Sequence, residues 1–417
     1  MSSTDSQLKI LIYGEYFLPV VGGVQTAMNL LARGLVEWKS QPDRDTTESE
    51  IAVTVVIGTA AHGVDDSVFP YRVVRRPGFW RLANLIRHAD IIHVAGPCLL
   101  PMAIGWLIGK PVVVEHHGYQ AICPNGLLFR EPSRTVCPGY FGQGHYRKCV
   151  HCATETMGFL GALRALALTF PRRWLCKRVP ANITISDHVA ARLKLPRTRT
   201  VYYGVEESPK VRATVMPPPT NTFKMAYVGR LVIEKGPALL LEAAKCLTDE
   251  GVCFQLSFIG DGPERAQLEK LADGLGLKES TTFAGDLRGL QLEEAVSKID
   301  LVAMPSLCEE TLGLSAIEQM MRGRVVVVAD IGGLSEVVGE AGLKFAPGEP
   351  QALAACIRRM VDNPTLAGSI GLMARERATR LFSLGNMING HVSIYRDVCP
   401  EKLQRLGTDN TERCTGA

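Results

Sequence analysis

A chain of 417 residues, 46% hydrophobic and 21% charged, has the composition of an ordinary globular protein and is long enough for two cores. A formal net charge of +4 is too small to argue for nucleic acid, and the most apolar stretch, Ile91 to Val114, is interrupted by Pro97, Pro101, Lys110 and Pro111. That stretch reads as strand, helix and strand, not as a membrane span. The start, MSSTDSQLKILIYG, lacks a signal-peptide pattern, so a cytoplasmic location is expected, with the 12 cysteines reduced and the Asn182-Ile183-Thr184 sequon unused.

In chain order, Leu8 to Gly14 has the continuous apolar pattern of a buried strand. A loop with Gly22 and Gly23 follows, then a helical period from Val24 to Trp38 and a polar loop over 40–50. Further strands are expected at Ile51 to Gly58, Ile91 to Val94, Pro111 to Glu115, Ala181 to Ser186 and Thr200 to Tyr203. The segment Ser208 to Phe223, with three consecutive prolines at Pro217 to Pro219, cannot continue helix or sheet and reads as the linker. A second series then begins. Strands are expected at Met225 to Gly229, Phe254 to Gly260, Thr281 to Ala284, Leu301 to Met304 and Val325 to Ala329. Helices are expected at Pro237 to Glu250, Glu264 to Leu275, Leu290 to Lys298, Gly313 to Arg322, after Gln351, and over 364–379. Strands alternating with helices predict an α/β fold of two Rossmann-like, doubly wound parallel sheets. The predicted division is an N-terminal domain over 1–210 with a cysteine-containing insertion at about 119–155, a C-terminal domain over 211–383, and a helix with a frayed tail over 384–417 that returns to the first domain. In such sheets ligands bind beyond the carboxyl ends of the strands, and two such edges facing each other would make a cleft.

The densest chemical signal runs from Pro305 to Val338. A strand ends at Met304, a loop carries Glu310, and Gly313 allows a tight turn into a helix that holds Glu318. The backbone N–H groups from Thr311, Leu312, Gly313 and Leu314 at that helix start suit a diphosphate. The two carboxylates, eight residues apart, could accept hydroxyls of a sugar and of a ribose. The spacing alone fits equally well two surface charges on a solvated helix.

Glu310-x7-Glu318, followed by Gly323 and by Gly332-Gly333 before Glu336, resembles the signature of glycosyltransferase family 4, whose fold is GT-B. The resemblance extends to Tyr227-Val228-Gly229-Arg230, Glu234-Lys235-Gly236, Ile259-Gly260-Asp261-Gly262-Pro263, Phe283-Ala284-Gly285 and the loop Gly22-Gly23-Val24. It is weakest over 120–180. Val325 stands where the family usually has proline, a structural position. The resemblance implies a retaining transferase that moves a sugar from a nucleotide-diphosphate donor to a carbohydrate or lipid-linked acceptor, such as a polysaccharide precursor. It also favours a phosphate role for Arg230 and Lys235 over that of two solvated loop residues, since their charge can neutralise the leaving diphosphate. The base is expected to meet backbone from Gly285 to Leu287. Gly22 and Gly23 would let backbone approach the donor, and His117, which best matches the family's histidine, would lie beside the transferred sugar. His93 is a weaker candidate of the same kind. No carboxylate pair of the DxD type stands at a strand end, so no metal is expected for catalysis. The other readings are a sugar-nucleotide epimerase of the same fold and a non-catalytic sugar-nucleotide binder.

Two features stand apart. Cys123, Cys137, Cys149 and Cys152, spaced C-x13-C-x11-C-x2-C, are a candidate structural zinc site, although the first two thiols lack a C-x2-C partner. Met157 to Val179 is apolar and carries Arg164, Arg172, Arg173, Lys177 and Arg178. It fits either an interfacial helix on the anionic inner face of a membrane or a core helix with a basic solvent face.

Overall fold

A computed structural model describes residues 7–19, 22–39, 50–60, 64–130, 133–206 and 222–402. Nearly all of the expected loop 40–50 and linker 208–223, and the tail 404–417, lie outside them. The chain divides into two compact units. The first comprises 1–126, 139–204 and 383–417; the second comprises 127–138 and 205–382.

In the first unit the order is β1 (Leu8–Gly14), α1 (Gly23–Glu37), β2 (Ile51–Ile57), β3 (Arg72–Arg75), α2 (Phe79–His88), β4 (Ile91–Ala95), α3 (Leu99–Leu107) and β5 (Val112–His116). After a two-stranded ribbon, β6 (Phe129–Arg130) with β7 (Thr135–Val136), assigned to the second unit, come α4 (Tyr146–Cys176), β8 (Ala181–Thr184), α5 (Asp187–Leu193) and β9 (Thr198–Thr200). Seven strands pair in parallel in the order β3-β2-β1-β4-β5-β8-β9. All residues of β4 and β5 are buried, as expected of strands covered on both faces. The sequence reading missed β3 because Arg72 and Arg75 bracket only two valines, an edge pattern that reads as loop. It also placed the last strand two residues too late.

The second unit runs β10 (Phe223–Val228), α6 (Pro237–Asp249), β11 (Phe254–Ile259), α7 (Arg265–Gly274), β12 (Thr281–Gly285), α8 (Gly289–Ser297), β13 (Leu301–Met304), α9 (Leu314–Met321), β14 (Val325–Ala329), α10 (Gly332–Val338), β15 (Leu343–Phe345), α11 (Pro350–Asp362) and α12 (Pro364–Leu381). Its six strands are parallel in the order β12-β11-β10-β13-β14-β15. The core gathers Met225, Leu256, Leu301 and Val327 from the strands with Leu240, Leu241 and Ile357 from α6 and α11. Val325, which stands at the family's proline position, starts β14 as a buried strand residue.

The last helix, α13 (Leu384–Val398), belongs to the first unit and packs on α1. Gly34 makes room for it, since a Cβ there would meet Ile388 Cδ1 at 2.5 Å, and Trp38 Nε1 donates to Asn389 Oδ1 at 3.3 Å.

Strand order reverses once in each sheet, between β1 and β4 and between β10 and β13. At such a switch point the connections leave to opposite faces and open a crevice beyond the strand ends. Both candidate sites lie there.

Candidate nucleotide-sugar and sugar-side sites

In the second unit, Arg230 and Lys235 follow β10, and Glu310 follows β13. The two loops are stapled by the Glu234 carbonyl, which accepts from Leu307 N at 2.9 Å and Cys308 N at 3.3 Å. Gly236 makes this approach possible. Its φ is +64°, and a Cβ there would lie 2.0 Å from Pro305 O. The staple brings Lys235 Nζ into an ion pair with Glu310, whose other oxygen accepts from Ser306 Oγ. Glu310 is only 7% exposed, while the Lys235 side chain retains 25%. The sequence reading gave these two residues separate tasks, lysine on phosphate and glutamate on sugar. The structure pairs them and adds Ser306, which sequence reasoning missed for want of a motif.

Behind Glu310 the backbone is equally close-packed. A Cβ on Gly332 would meet Glu310 N and O at 2.7 Å, and one on Gly333 would meet Thr311 O at 2.4 Å. Gly313, with φ +96°, caps α9, and Leu312 beside it is buried. Glu318 lies inside α9 with its carboxyl pushed up by burial, partly offset by Arg322. Arg322 in turn is ion-paired with Glu293 of α8. Arg230 is exposed, and its carbonyl accepts from Tyr227 Oη at 2.6 Å. Gly285, at φ +75°, ends β12, its carbonyl accepting from Gly260 N at 2.8 Å; Leu287 follows it, half-buried. The predicted donor residues of this half therefore cluster at the β10/β13 switch point and along its flanks.

In the first unit a cavity of about 480 Å³ opens beyond β1 and β4. Gly14, Gln25, Gly96, Leu100, His117 and Arg172 are among the residues that line it. Gly22 and Gly23 sit at the N-terminus of α1 beside this wall without lining it. Gly22 is extended (φ −171°), a conformation open to any residue, so no backbone strain requires glycine there.

His117 reaches the cavity, but both ring nitrogens turn inward. Nδ1 shares a hydrogen bond with Tyr203 Oη, while Nε2 is buried 3.8 Å from Glu115 Oε2 and makes no hydrogen bond. A bond from His117 to a sugar hydroxyl requires the ring to rotate. Glu115 is the centre of a buried network that sequence reasoning missed, since one of its members lies 276 residues away on α13. Its Oε2 accepts from His93 Nε2 at 3.2 Å, and Tyr395 Oη donates to His93 Nδ1 at 2.9 Å. His391 Nδ1 donates to Met387 O at 2.8 Å, and its Nε2 meets Glu115 Oε1 at 3.2 Å, so one proton lies between imidazole and carboxylate. Burial pushes the Glu115 carboxyl up, but His117, His391 and His93 together outweigh burial and hold it well below the usual range. Burial lowers His116 and His117 to about 4 each. His93 is thus an internal member of this network. Asn182 of the sequon is fully buried and donates to Cys176 O and Pro196 O, both at 2.9 Å.

The cysteine segment is divided. Cys123, Cys149 and Cys152 lie in the first unit and Cys137 in the second. Cys123 Sγ donates to Asn125 Oδ1 at 2.9 Å, and Asn125 Nδ2 contacts Cys152 Sγ at 3.8 Å. In the first unit, His93, Glu115 and His391 bring ligand atoms within 4.8 Å of one another.

The stretch 157–179 lies mostly in α4. This helix is kinked at Gly158 (φ 69°, ψ 166°), and no helix among the described residues is long and apolar enough to cross a membrane.

A family model described as "Glycosyl transferases group 1" matches residues 214–377. The chain is 34% identical over 308 residues to the sulfoquinovosyl transferase SQD2 of Arabidopsis thaliana, covering 70% of this chain and 53% of that protein. It is 29% identical over 240 residues to the 2-deoxystreptamine glucosyltransferase of Streptomyces kanamyceticus, covering 52% and 62%. The chain thus spans roughly half to three fifths of the length of these curated relatives. Among solved structures, HepE of Anabaena in complex with UDP and glucose superposes with TM-score 0.66 at 19% identity, covering 94% of this chain and all of that one. Sucrose-phosphate synthase of Thermosynechococcus elongatus superposes with TM-score 0.68 at 19% identity, covering 94% and 99%. These two likenesses concern the fold. Together with the two parallel sheets and the loops around Lys235 and Glu310, they lead to one conclusion: residues 214–377 match the group 1 glycosyl transferases, and the chain carries the GT-B fold.

Proposed function

We propose that the protein is a retaining glycosyltransferase that uses a nucleotide-diphosphate sugar. The observation that carries the reading is the Lys235–Glu310 pair at the β10/β13 switch point, next to the N-terminus of α9 and to exposed Arg230. Lys235, Arg230 and the N–H groups from Thr311 to Leu314 supply positive charge to a diphosphate. Glu310, held by Ser306, accepts hydroxyls of the sugar, and Glu318 those of the ribose. The UDP in the complexed HepE structure supports a nucleotide donor of this kind.

In the proposed reaction the bond from the anomeric carbon to the diphosphate oxygen breaks, and its electron pair leaves with the phosphate. The acceptor oxygen bonds the same carbon on the same face and passes its proton to the departing phosphate oxygen. This path needs no carboxylate nucleophile and no metal. Lys235 and Arg230 contribute by stabilising charge that grows on the leaving group. We further assign the first unit's cavity to the acceptor and read the acceptor as lipid-linked, with the chain peripheral on the inner face of a membrane. The support is that α4 turns apolar residues outward, including Leu160 at 79% and Phe159 at 60% exposure, on a segment with five Arg and Lys.

The test is to incubate the full chain with a panel of sugar nucleotides and follow both diphosphate release and sugar identity. Slow release that falls at least about 100-fold in Lys235→Ala and Glu310→Gln is expected. Interconversion of the sugar without release would replace the reading with an epimerase. Binding without either change would make the protein a sugar-nucleotide binder.

A further inference from the structure

The cavity of the first unit and the apolar surface beside it are built from the same two helices. Leu99, Leu100 and Pro101 of α3 line the cavity, and Leu100 is also 47% exposed. Farther along the same segment Trp106, Leu107 and Ile108 are exposed. On α4, Leu160, Leu163, Phe170 and Trp174 are exposed as well, at spacings of three, ten and fourteen residues from the first, which is one helical stripe. The Trp106 and Trp174 rings meet edge to face at 5.2 Å and join the two surfaces into one. The segment from 157 to 179 contains no Asp or Glu.

Arg172 sits where the stripe meets the cavity, between Phe170 and Trp174, and it lines the cavity wall. Its neighbours are engaged. Arg173 donates to Leu193 O at 3.1 Å, and Arg178 stacks on Trp174 at 3.7 Å. Arg172 is half-buried, and among the described residues it forms no ion pair and no hydrogen bond. Glu15, the one carboxylate of the lining, does not pair with it. A half-buried guanidinium facing a cavity with no acceptor of its own is a site for an oxyanion, with the fork geometry that suits phosphate.

We propose that Arg172 anchors a phosphate of the acceptor, and that the acceptor is a lipid phosphate whose chain leaves over the α3–α4 surface. The inference rests on the glycosyl-transfer reading and specifies its acceptor. A nucleotide phosphate shares the anionic chemistry but has no use for an apolar exit, so the exposed stripe decides for the lipid.

The test is calorimetric titration of the full chain with farnesyl monophosphate, farnesol, inorganic phosphate and UDP. Farnesyl monophosphate should bind at least 10-fold tighter than either farnesol or phosphate. Arg172→Gln should remove at least 10-fold of that affinity, Arg172→Lys should restore part of it, and Lys177→Gln, on the same helix, should change it less than 2-fold. UDP binding should be unaltered in Arg172→Gln, which also reports that the variant is folded. Equal binding of farnesol and farnesyl monophosphate, or an unaltered Arg172→Gln, overturns the proposal. Parallel loss of UDP binding in that variant overturns it too, by assigning the cation to the donor. Failure of the wild-type chain to bind UDP or any sugar nucleotide instead strikes the glycosyl-transfer reading itself.

Discussion

The two switch points solve the same topological problem with opposite electrostatics. In the second unit the working charges stay at the surface. Arg230 is exposed, Lys235 is partly so, and Glu310 is buried only because Lys235 and Ser306 are brought to it. In the first unit the titratable groups His93, Glu115, His116 and His391 are buried in strands and in α13, bonded to one another, to Tyr395 or to Asn182, while His116 Nδ1 has no hydrogen-bond partner among the described residues. One edge keeps charge available to a ligand by close-packed glycine loops. The other keeps its ionisable groups internal and leaves Arg172, unpaired among the described residues, at the cavity wall.

If glycine packing is what builds the second unit's edge, removing it should cost more there than at Gly96 beside the first unit's cavity. Gly236→Ala puts a Cβ 2.0 Å from a backbone carbonyl at φ +64°, and neither loop can move without breaking the Glu234 staple. It should destabilise by about 3 kcal/mol or more and abolish donor binding. Gly96→Ala in the first unit also has positive φ, +88°, but a Cβ there meets nothing within 4 Å. It should cost about 1 kcal/mol, the backbone strain alone. Chemical denaturation of both variants reads the difference, and equal losses would mean that torsion, not close approach, governs both edges.

This explains why one edge could be read in the sequence and the other could not. Close approach leaves a glycine at a fixed place, so Gly236, Gly260 and the pair Gly332-Gly333 carried the resemblance, along with Arg230, Lys235, Glu310 and Glu318. The strand pattern, with runs such as Val325 to Ala329, was also legible because a parallel sheet buries both faces. The first unit's network leaves no comparable trace. Glu115, His116 and His117 read as a polar strand end, while Glu115's partner His391 and His93's partner Tyr395 lie on a helix whose sequence shows only amphipathic spacing. The exposed apolar side of α4 was legible as composition but not as direction, because a stripe does not say whether it faces the core or the solvent. The ribbon β6–β7 and the short strand β3 were lost to length.

Acid should separate the two units next. Folded His116 and His117 stay neutral down to about pH 4, while the unfolded chain takes up their protons near 6.5. Acidification between those values favours the unfolded state. The stability these residues contribute is present above about 6.5 and is lost as pH falls towards 4, at up to about 3 kcal/mol for each. Glu115, held low, adds further loss below the ordinary carboxylate range. Glu318 and Asp300 of the second unit run the other way. Their carboxyls are raised by burial, so the fold takes up these protons before the unfolded chain does, and acid favours it. Hydrogen exchange at pH 7 and pH 5 should show protection falling in β4, β5 and α13 and holding in β10, β13 and α9. A uniform loss across both sheets would remove the electrostatic contrast.

The smallest effect tests the ion pair from its two ends. Lys235→Met leaves the Glu310 carboxylate buried with Ser306 as its remaining partner, and should cost about 1–2 kcal/mol because a charge is then unpaired out of water. Glu310→Gln leaves Lys235 without its partner, but that side chain is already 25% exposed and can turn its ammonium to solvent, so the cost should stay below about 1 kcal/mol. Turnover should not follow this order, because both variants remove a group assigned to the donor and both should lose activity heavily. Thermal melts of the two variants beside their rates make the check. A larger stability loss in Glu310→Gln would show that the glutamate chiefly holds the loop together, and its assignment to the sugar would fall with it.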